Sequence, residues 1–199
     1  MSGGSFWMDV REGSRFFHGE GAVQETLRRL ARRLREEGLD YALVGGLALV
    51  AHGNRRFTED VDVLMRPETI ERFREVCVGQ GYLPAFPGAE RSFRDTETQV
   101  RIEVLPTGGF PGDGKPKPVA FPDPATVRED RAGIWVVTLE TLIALKLASG
   151  LSAPHRLRDL SDVQDLIART GLPLDLAERL DPSVREEYRR LWRQVDAAR

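Results

Sequence analysis

The stretch that decides the fold is "YALVGGLALVAHGNRRFTEDVDVLM", residues 41–65. An apolar run ends on two glycines, and a short helix later Asp60 and Asp62 stand one residue apart inside a second apolar run. Residues two apart in a strand share a face, so Asp60 and Asp62 project together while Val61 and Val63 enter the opposite layer. Carboxylates held that close repel. Their compensation is either a divalent cation that prefers oxygen ligands, Mg²⁺ or Mn²⁺, or pairing with Arg55, Arg56 or Arg66 nearby.

Gly45 and Gly46 sit where the first strand becomes a helix, "LALVAHG", closed by Gly53. A helix start presents unpaired backbone N–H groups that favour phosphate, and glycine lets a ligand approach the backbone. Alone, a Gly-Gly turn is a tight connection. Beside an aspartate pair it becomes half of a site for a metal-bound nucleoside triphosphate. A third carboxylate is offered by "VRIEVL", where Ile102 and Val104 alternate with Arg101 and Glu103. Glu103 either joins the aspartates or is a solvated residue paired with Arg101. Asp95 and Glu97 are the substitutes.

Around this motif the chain alternates strand and helix, then turns helical. "VQETLRRLARRLREEG" places Val23, Leu27, Leu30, Ala31 and Leu34 on one helical face and ends at Gly38. Pro67 opens a further helix running to about Gly79, with Ile70, Phe73 and Cys77 at core spacing. "GYLP", "RSFRDTETQVRIEVLP" and "GIWVVT" supply strands. Between Pro106 and Pro124 the text is so rich in glycine and proline that an irregular loop is expected, ordered over the domain or mobile near the site. Everything after Leu139 reads as helix, with Leu157, Leu160, Val163 and Ile167 as one buried stripe and Val184, Tyr188, Leu191 and Val195 as another. The fold class expected is α/β or α+β: an N-terminal segment over 1–20 with no clear period, a core over 21–138, and a helical part over 139–199 packed on it.

Composition narrows the function classes. The chain has 199 residues, 41% of them hydrophobic, and a formal net charge of −2, so the whole molecule is no electrostatic magnet for nucleic acid or anionic membrane. A single cysteine excludes an intrachain disulfide, and the reading is a cytoplasmic protein without a membrane span or secretory signal. His52 has no second histidine or cysteine at ligand spacing, which argues against zinc. The lysines are Lys115, Lys117 and Lys146 among many arginines. Lys146, on an apolar helix, is either a compact ammonium for phosphate oxygens or a snorkelling side chain. Arg158 and Asp162 stand at i and i+4 and are placed to pair. Arg56 and Thr58, entering the aspartate strand, suit triphosphate or acceptor contact.

Gly-Gly, thirteen residues, then Asp-Val-Asp, with a later acid on a strand, resembles the signature of the polymerase-β-type nucleotidyltransferase superfamily. Together with "LIALKLASG" and "RLRDLSDVQDLI", it resembles more narrowly the AbiEii-like nucleotidyltransferases of type IV toxin–antitoxin systems. The resemblance implies a minimal nucleotidyltransferase fold, with a mixed sheet flanked by helices. It also implies two Mg²⁺ ions held by Asp60 and Asp62, with Glu103 as the third ligand or as a base. Asp159 and Asp162 would orient Lys146 or an arginine beside the cleft. NTP is the substrate so implied, with tRNA or another RNA as a possible acceptor and an antitoxin protein as a possible partner. The alternatives are adenylylation of a protein or small molecule, and a degenerate module that binds nucleotide or a partner without turnover.

Overall fold

A computed structural model of the chain describes residues 21–198; the N-terminal segment over 1–20 lies outside them. Helix α1 (Ala22–Glu36) buries Val23, Leu27, Leu30, Ala31 and Leu34 and leaves its arginines at the surface or its edge. Strand β1 (Ala42–Val44) runs directly into helix α2 (Gly45–Ala51), so both glycines lie inside the first helical turn rather than before it. Strand β2 (Asp60–Met65), helix α3 (Pro67–Cys77), and strands β3 (Tyr82–Pro84), β4 (Ser92–Asp95) and β5 (Arg101–Pro106) follow. A hairpin of β6 (Arg128–Arg131) and β7 (Ile134–Val137) completes the strands.

The strands form one mixed seven-stranded sheet in the order β3-β4-β5-β2-β1-β7-β6. At its centre β2 pairs antiparallel with β1 and parallel with β5. Val61, Val63, Ile102 and Val104 are fully or almost fully buried, in one apolar cluster with Leu30 and Leu34 of α1 and Ile70 and Phe73 of α3. The Phe73 ring meets those of Phe93 and Tyr82, with centroids 5.0 and 5.5 Å away. Burial of such side chains fixes which face of each strand turns inward, because a one-residue slip would exchange valines for aspartates.

The helical part follows as α4 (Leu139–Ser152), α5 (Leu157–Thr170) and α6 (Pro182–Asp196). Thr138 and Asp181 cap α4 and α6 through their side chains, and α5 stops at Gly171 in the left-handed conformation. Val184, Tyr188, Leu191 and Val195 are buried as the periodicity implies. The expected stripe on α5 is only partly right. Leu157 is 67% exposed, and its place on the buried face is taken by Leu166 and by a charged residue, Asp162. Among the described residues, no helix is long and apolar enough to cross a membrane.

Helices α4 and α5 pack tightly at Gly150, where an added Cβ would lie 2.4 Å from Leu160 Cδ2, 2.5 Å from its Cγ and 3.2 Å from its backbone nitrogen. Helix propensity alone favours alanine there by roughly 1 kcal/mol. Overpacking opposes it by about 1–3 kcal/mol. Gly150→Ala is therefore expected to lower the urea midpoint despite the better helix former; an unchanged or higher midpoint would show that the two helices can part at no cost.

Candidate active site

The β2–β5 register sets the site. Asp60 pairs with Arg101 and Asp62 with Glu103, and side chains at paired positions of parallel strands share a face. On β1, Val44 stands opposite Asp62, which brings the aspartate against the glycine turn that follows. Gly45 has φ +65°, and a Cβ there would overlap Asp62 Oδ2. A Cβ at Gly46 would lie 2.8 Å from Thr58 Oγ1. Both glycines are thus required by the side chains that pack on them. Thr58 Oγ1 donates to Asp60 Oδ1 (2.7 Å), and Ser92 Oγ, from β4, donates to Glu103 Oε1 (2.8 Å).

Charge in this cluster is only partly balanced. Burial, then the neighbouring charge of Asp60, pushes the Asp62 carboxyl up to about 7; Glu103 adds to the rise, while Lys146 and Arg56 oppose it. Arg101 reaches across the strands, with Nε 3.1 Å from Glu103 Oε1 and Nη2 3.6 Å from Asp60 Oδ2. Glu103 thus stands in register beside Asp62 and also pairs with Arg101. The donor set is all oxygen, as Mg²⁺ or Mn²⁺ demands, and its repulsion is what a cation relieves. Among the described residues, no three acidic, histidine or cysteine side chains are already gathered closely enough to hold a metal ion, and a guanidinium pairs with two of the acids. The substitutes fall elsewhere. Asp95 is fully buried, takes hydrogen bonds from the backbone of Glu97 and Thr98, and shares Arg29 with Glu97.

A second ionic group lies on the helical side. Lys146 Nζ on α4 is 2.6 Å from Asp159 Oδ1 and 2.9 Å from Asp162 Oδ2, both on α5. Arg56, from the loop entering β2, bonds the same Asp162 oxygen. The expected Arg158–Asp162 pair does not form, because Asp162 turns inward toward Arg56 and Lys146 while Arg158 stays exposed. Lys146 is half-buried at the centre of an ion group that joins Asp159, Asp162 and Arg56. Asp159 also accepts from Ser149 Oγ (2.6 Å), and although burial raises its carboxyl, Lys146 and Ser149 hold it below the usual range. Arg66, another possible partner for the aspartates, pairs with Asp123 instead. His52 gives its ring nitrogen to Val137 O (2.8 Å), a packing role, and Cys77 is a buried free thiol.

A cavity of about 270 Å³ joins the two groups, with Gly45, Asp62, Lys146 and Asp159 in its wall. Ser149 and Arg156 also stand in it, and its apolar wall comes from Leu105, Leu142 and Leu145, and from Phe110 and Phe121 of the glycine- and proline-rich loop. The far side of Asp60 opens on a second hollow of about 370 Å³ carrying Arg94, Thr98, Gln99 and Arg101. Sequence reasoning missed Ser92, Ser149, Arg94 and the two phenylalanines, and gave Arg101 only a pairing role. Ser92 and Arg101 were readable from β-register, since one lies opposite Glu103 and the other shares its face; the phenylalanines carried no periodic signal.

Comparison with known proteins agrees with this fold. A crystal structure from Thermotoga maritima, TM1012, assigned as a nucleotidyltransferase, superposes with a TM-score of 0.50 at 18% identity, over 69% of this chain and 91% of that one. The structure of ANT(2″)-Ia in complex with adenylyl-2″-tobramycin superposes with a TM-score of 0.52 at 16% identity, over 86% of this chain and 97% of that one. At such identities the likeness is one of fold. No curated protein matches the chain significantly. The family model described as nucleotidyl transferase AbiEii toxin, type IV TA system, matches residues 27–196, which takes in both ionic groups and all three helices of the C-terminal part, and the chain belongs to that nucleotidyltransferase family.

Proposed function

We propose that the chain moves a nucleoside monophosphate from an NTP to an acceptor hydroxyl at the face formed by Asp60, Asp62 and Glu103. The observation that carries this reading is the in-register placement of Asp62 beside Glu103, in the wall of a cavity that begins at the glycine turn. Asp60, Asp62 and Glu103 would hold Mg²⁺ or Mn²⁺. Bound divalent cations supply neutralisation of the triphosphate and polarisation of the α-phosphate. The chain's own groups do the rest. Gly45 and Gly46 let the phosphates approach the backbone, and Arg56 and Lys146, held by Asp159 and Asp162, add positive charge beside them. Thr58 keeps Asp60 in place. The acceptor oxygen bonds the α-phosphorus, the bond to pyrophosphate breaks, pyrophosphate leaves, and the hydroxyl proton passes to Glu103.

The acceptor side favours RNA. Arg94 and Arg101 in the hollow beyond Asp60 suit the phosphates of a phosphodiester chain, with Glu59 and Asp60 in the same wall. A toxin acting on tRNA in the cytoplasm, restrained by a cognate antitoxin, is the fuller form of the proposal. Protein or small-molecule adenylylation and a binding module without turnover are the readings it displaces.

Two measurements test it. With each α-labelled NTP, Mg²⁺ and total tRNA, the protein is expected to transfer label, and Asp62→Asn to lower the rate by about 10³-fold or more, the weight of several kcal/mol of transition-state stabilisation. Because asparagine removes a repelled charge, the melting temperature of the variant should be no lower than the parent's. Equal labelling by both proteins, or none with any NTP, would end the catalytic reading. For the metal, Arg101→Gln removes the cation already lodged between Asp60 and Glu103, so Mn²⁺ should bind roughly ten-fold more tightly by paramagnetic resonance titration. Weaker binding would mean that Arg101 builds the site rather than competes for it.

A further inference from the structure

The aromatic wall of the cavity has no part in the chemistry just described, and its construction is specific. The loop over 107–123 is fastened at several points. Gly108 N donates to Phe121 O and Phe121 N to Gly109 O, each at 2.8 Å, forming a short ladder that sets the Phe121 ring. Lys117 Nζ bonds Pro111 O and Asp113 Oδ1, both at 2.6 Å, closing the loop on itself. Arg156 Nη2 donates to Gly112 O (3.1 Å) and Asp113 N to Ser152 Oγ (3.2 Å), which ties the loop to the end of α4. Gly112 has φ +79°, and a Cβ there would overlap Ser152 Oγ, so the loop lies as close to α4 as backbone allows. The wall is preformed.

We propose that this loop is the nucleobase wall of the NTP site: Phe110 and Phe121, with Leu142 and Leu145 across the cavity, enclose the base of the nucleotide whose phosphates lie toward Gly45 and Asp62. The inference rests on the reading given under Proposed function and assigns the loop a task that reading leaves open. The two hollows beside the carboxylates differ in chemistry. The first carries a wall of phenylalanine and leucine beside its charged groups, and the second is lined almost wholly by polar and charged side chains, Glu59 and Asp60 as well as Arg94 and Arg101. A flat, largely apolar base belongs in the first, because base-on-aromatic contact is worth about 1–3 kcal/mol per base and depends little on base identity. Half-buried phenylalanines with one side open to a cavity are the donors of that contact. The polar rim at Ser149 and Asp159 then faces the sugar hydroxyls or the base edge, and a cavity of about 270 Å³ lies close to the lower end of small-ligand sites, roughly 300 Å³.

The test separates base from phosphate. Calorimetric titration of the full chain with ATP, GTP, CTP and UTP in Mg²⁺, and in parallel with inorganic tripolyphosphate, is run on the parent, Phe110→Ala, Phe121→Ala and Phe121→Leu. Each alanine variant is expected to bind nucleotides roughly ten-fold more weakly while holding tripolyphosphate within about two-fold. Phe121→Leu, which keeps apolar bulk and the loop's packing, should fall between. Nucleotide binding unchanged in both alanine variants would overturn the wall, as would an equal loss for nucleotide and tripolyphosphate. A parent that binds no nucleotide overturns this inference and the proposed function together, whereas a parent that binds and transfers nucleotide with indifferent phenylalanines overturns this inference alone.

Discussion

The parallel register of β2 on β5 is the constraint from which the site follows. Val61, Val63, Ile102 and Val104 fill the core side of these strands, and at roughly 1.5–3 kcal/mol for each fully buried side chain they fix the alternation firmly. Once they face inward, Asp60, Asp62, Arg101 and Glu103 have only the other face. Two carboxylates about 4 Å apart repel by roughly 4 kcal/mol at the effective dielectric of a protein surface, less than the apolar face supplies. The fold therefore tolerates a cluster of acids it would otherwise disperse, and the upward shift of Asp62 comes from its burial first and from the charge of Asp60 second.

The motif spacing has a mechanical reason as well. β1 and β2 are antiparallel neighbours, so the thirteen residues between Gly46 and Asp60 must complete α2, turn, and return the chain far enough that Asp62 stops opposite Val44. At that register Asp62 lies over Gly45 and Thr58 over Gly46, where no Cβ fits. The glycines and the aspartates are one packing unit. The helical part is coupled to it through Asp162, a buried carboxylate shared by Arg56 and Lys146. Removing one member of such a buried group costs about 3–5 kcal/mol, which makes it a strong tie between α5 and the loop that feeds β2.

How much of this was legible follows from which signals are local. Strict alternation in "DVDVL" and "RIEVL" gave β2, β5 and the shared face of the acids, and apolar spacing gave α1, α3 and α6. β6 was invisible because "REDR" has no apolar face; it is an edge strand held by its hairpin to β7 through Ala132 and Gly133, both at positive φ, and by Arg128 over the Trp135 ring at 4.5 Å. The α5 stripe misled because Leu157 fits the period but falls at the helix start, out over solvent. Helical spacing offers Asp162 a surface pair with Arg158, because it reveals neighbours on the same helix and is silent about Arg56, over a hundred residues earlier; the family resemblance alone points Asp162 toward Lys146 or an arginine, where it lies. The loop's aromatic wall depends on side-chain and backbone ties to α4 and the turn after it, and no period in its sequence encodes them.

The two ionic groups differ in a way that bears on how a nucleotide can enter. Around Asp162 the charges are matched: two aspartates meet Lys146 and Arg56, with Arg156 at 3.9 Å from Asp159 as a further cation. Around Asp62 they are not. Three carboxylates face one guanidinium, which leaves the group with two uncompensated negative charges when all are ionised. A bare triphosphate brought to that face would meet repulsion from Asp60, Asp62 and Glu103 that Lys146 and Arg56, already committed to aspartates, offset only in part. Under the proposed function the nucleotide must therefore arrive accompanied by divalent cations. The imbalance that makes the empty face costly is then the same quantity that makes it selective for a metal-bound polyphosphate over a free one.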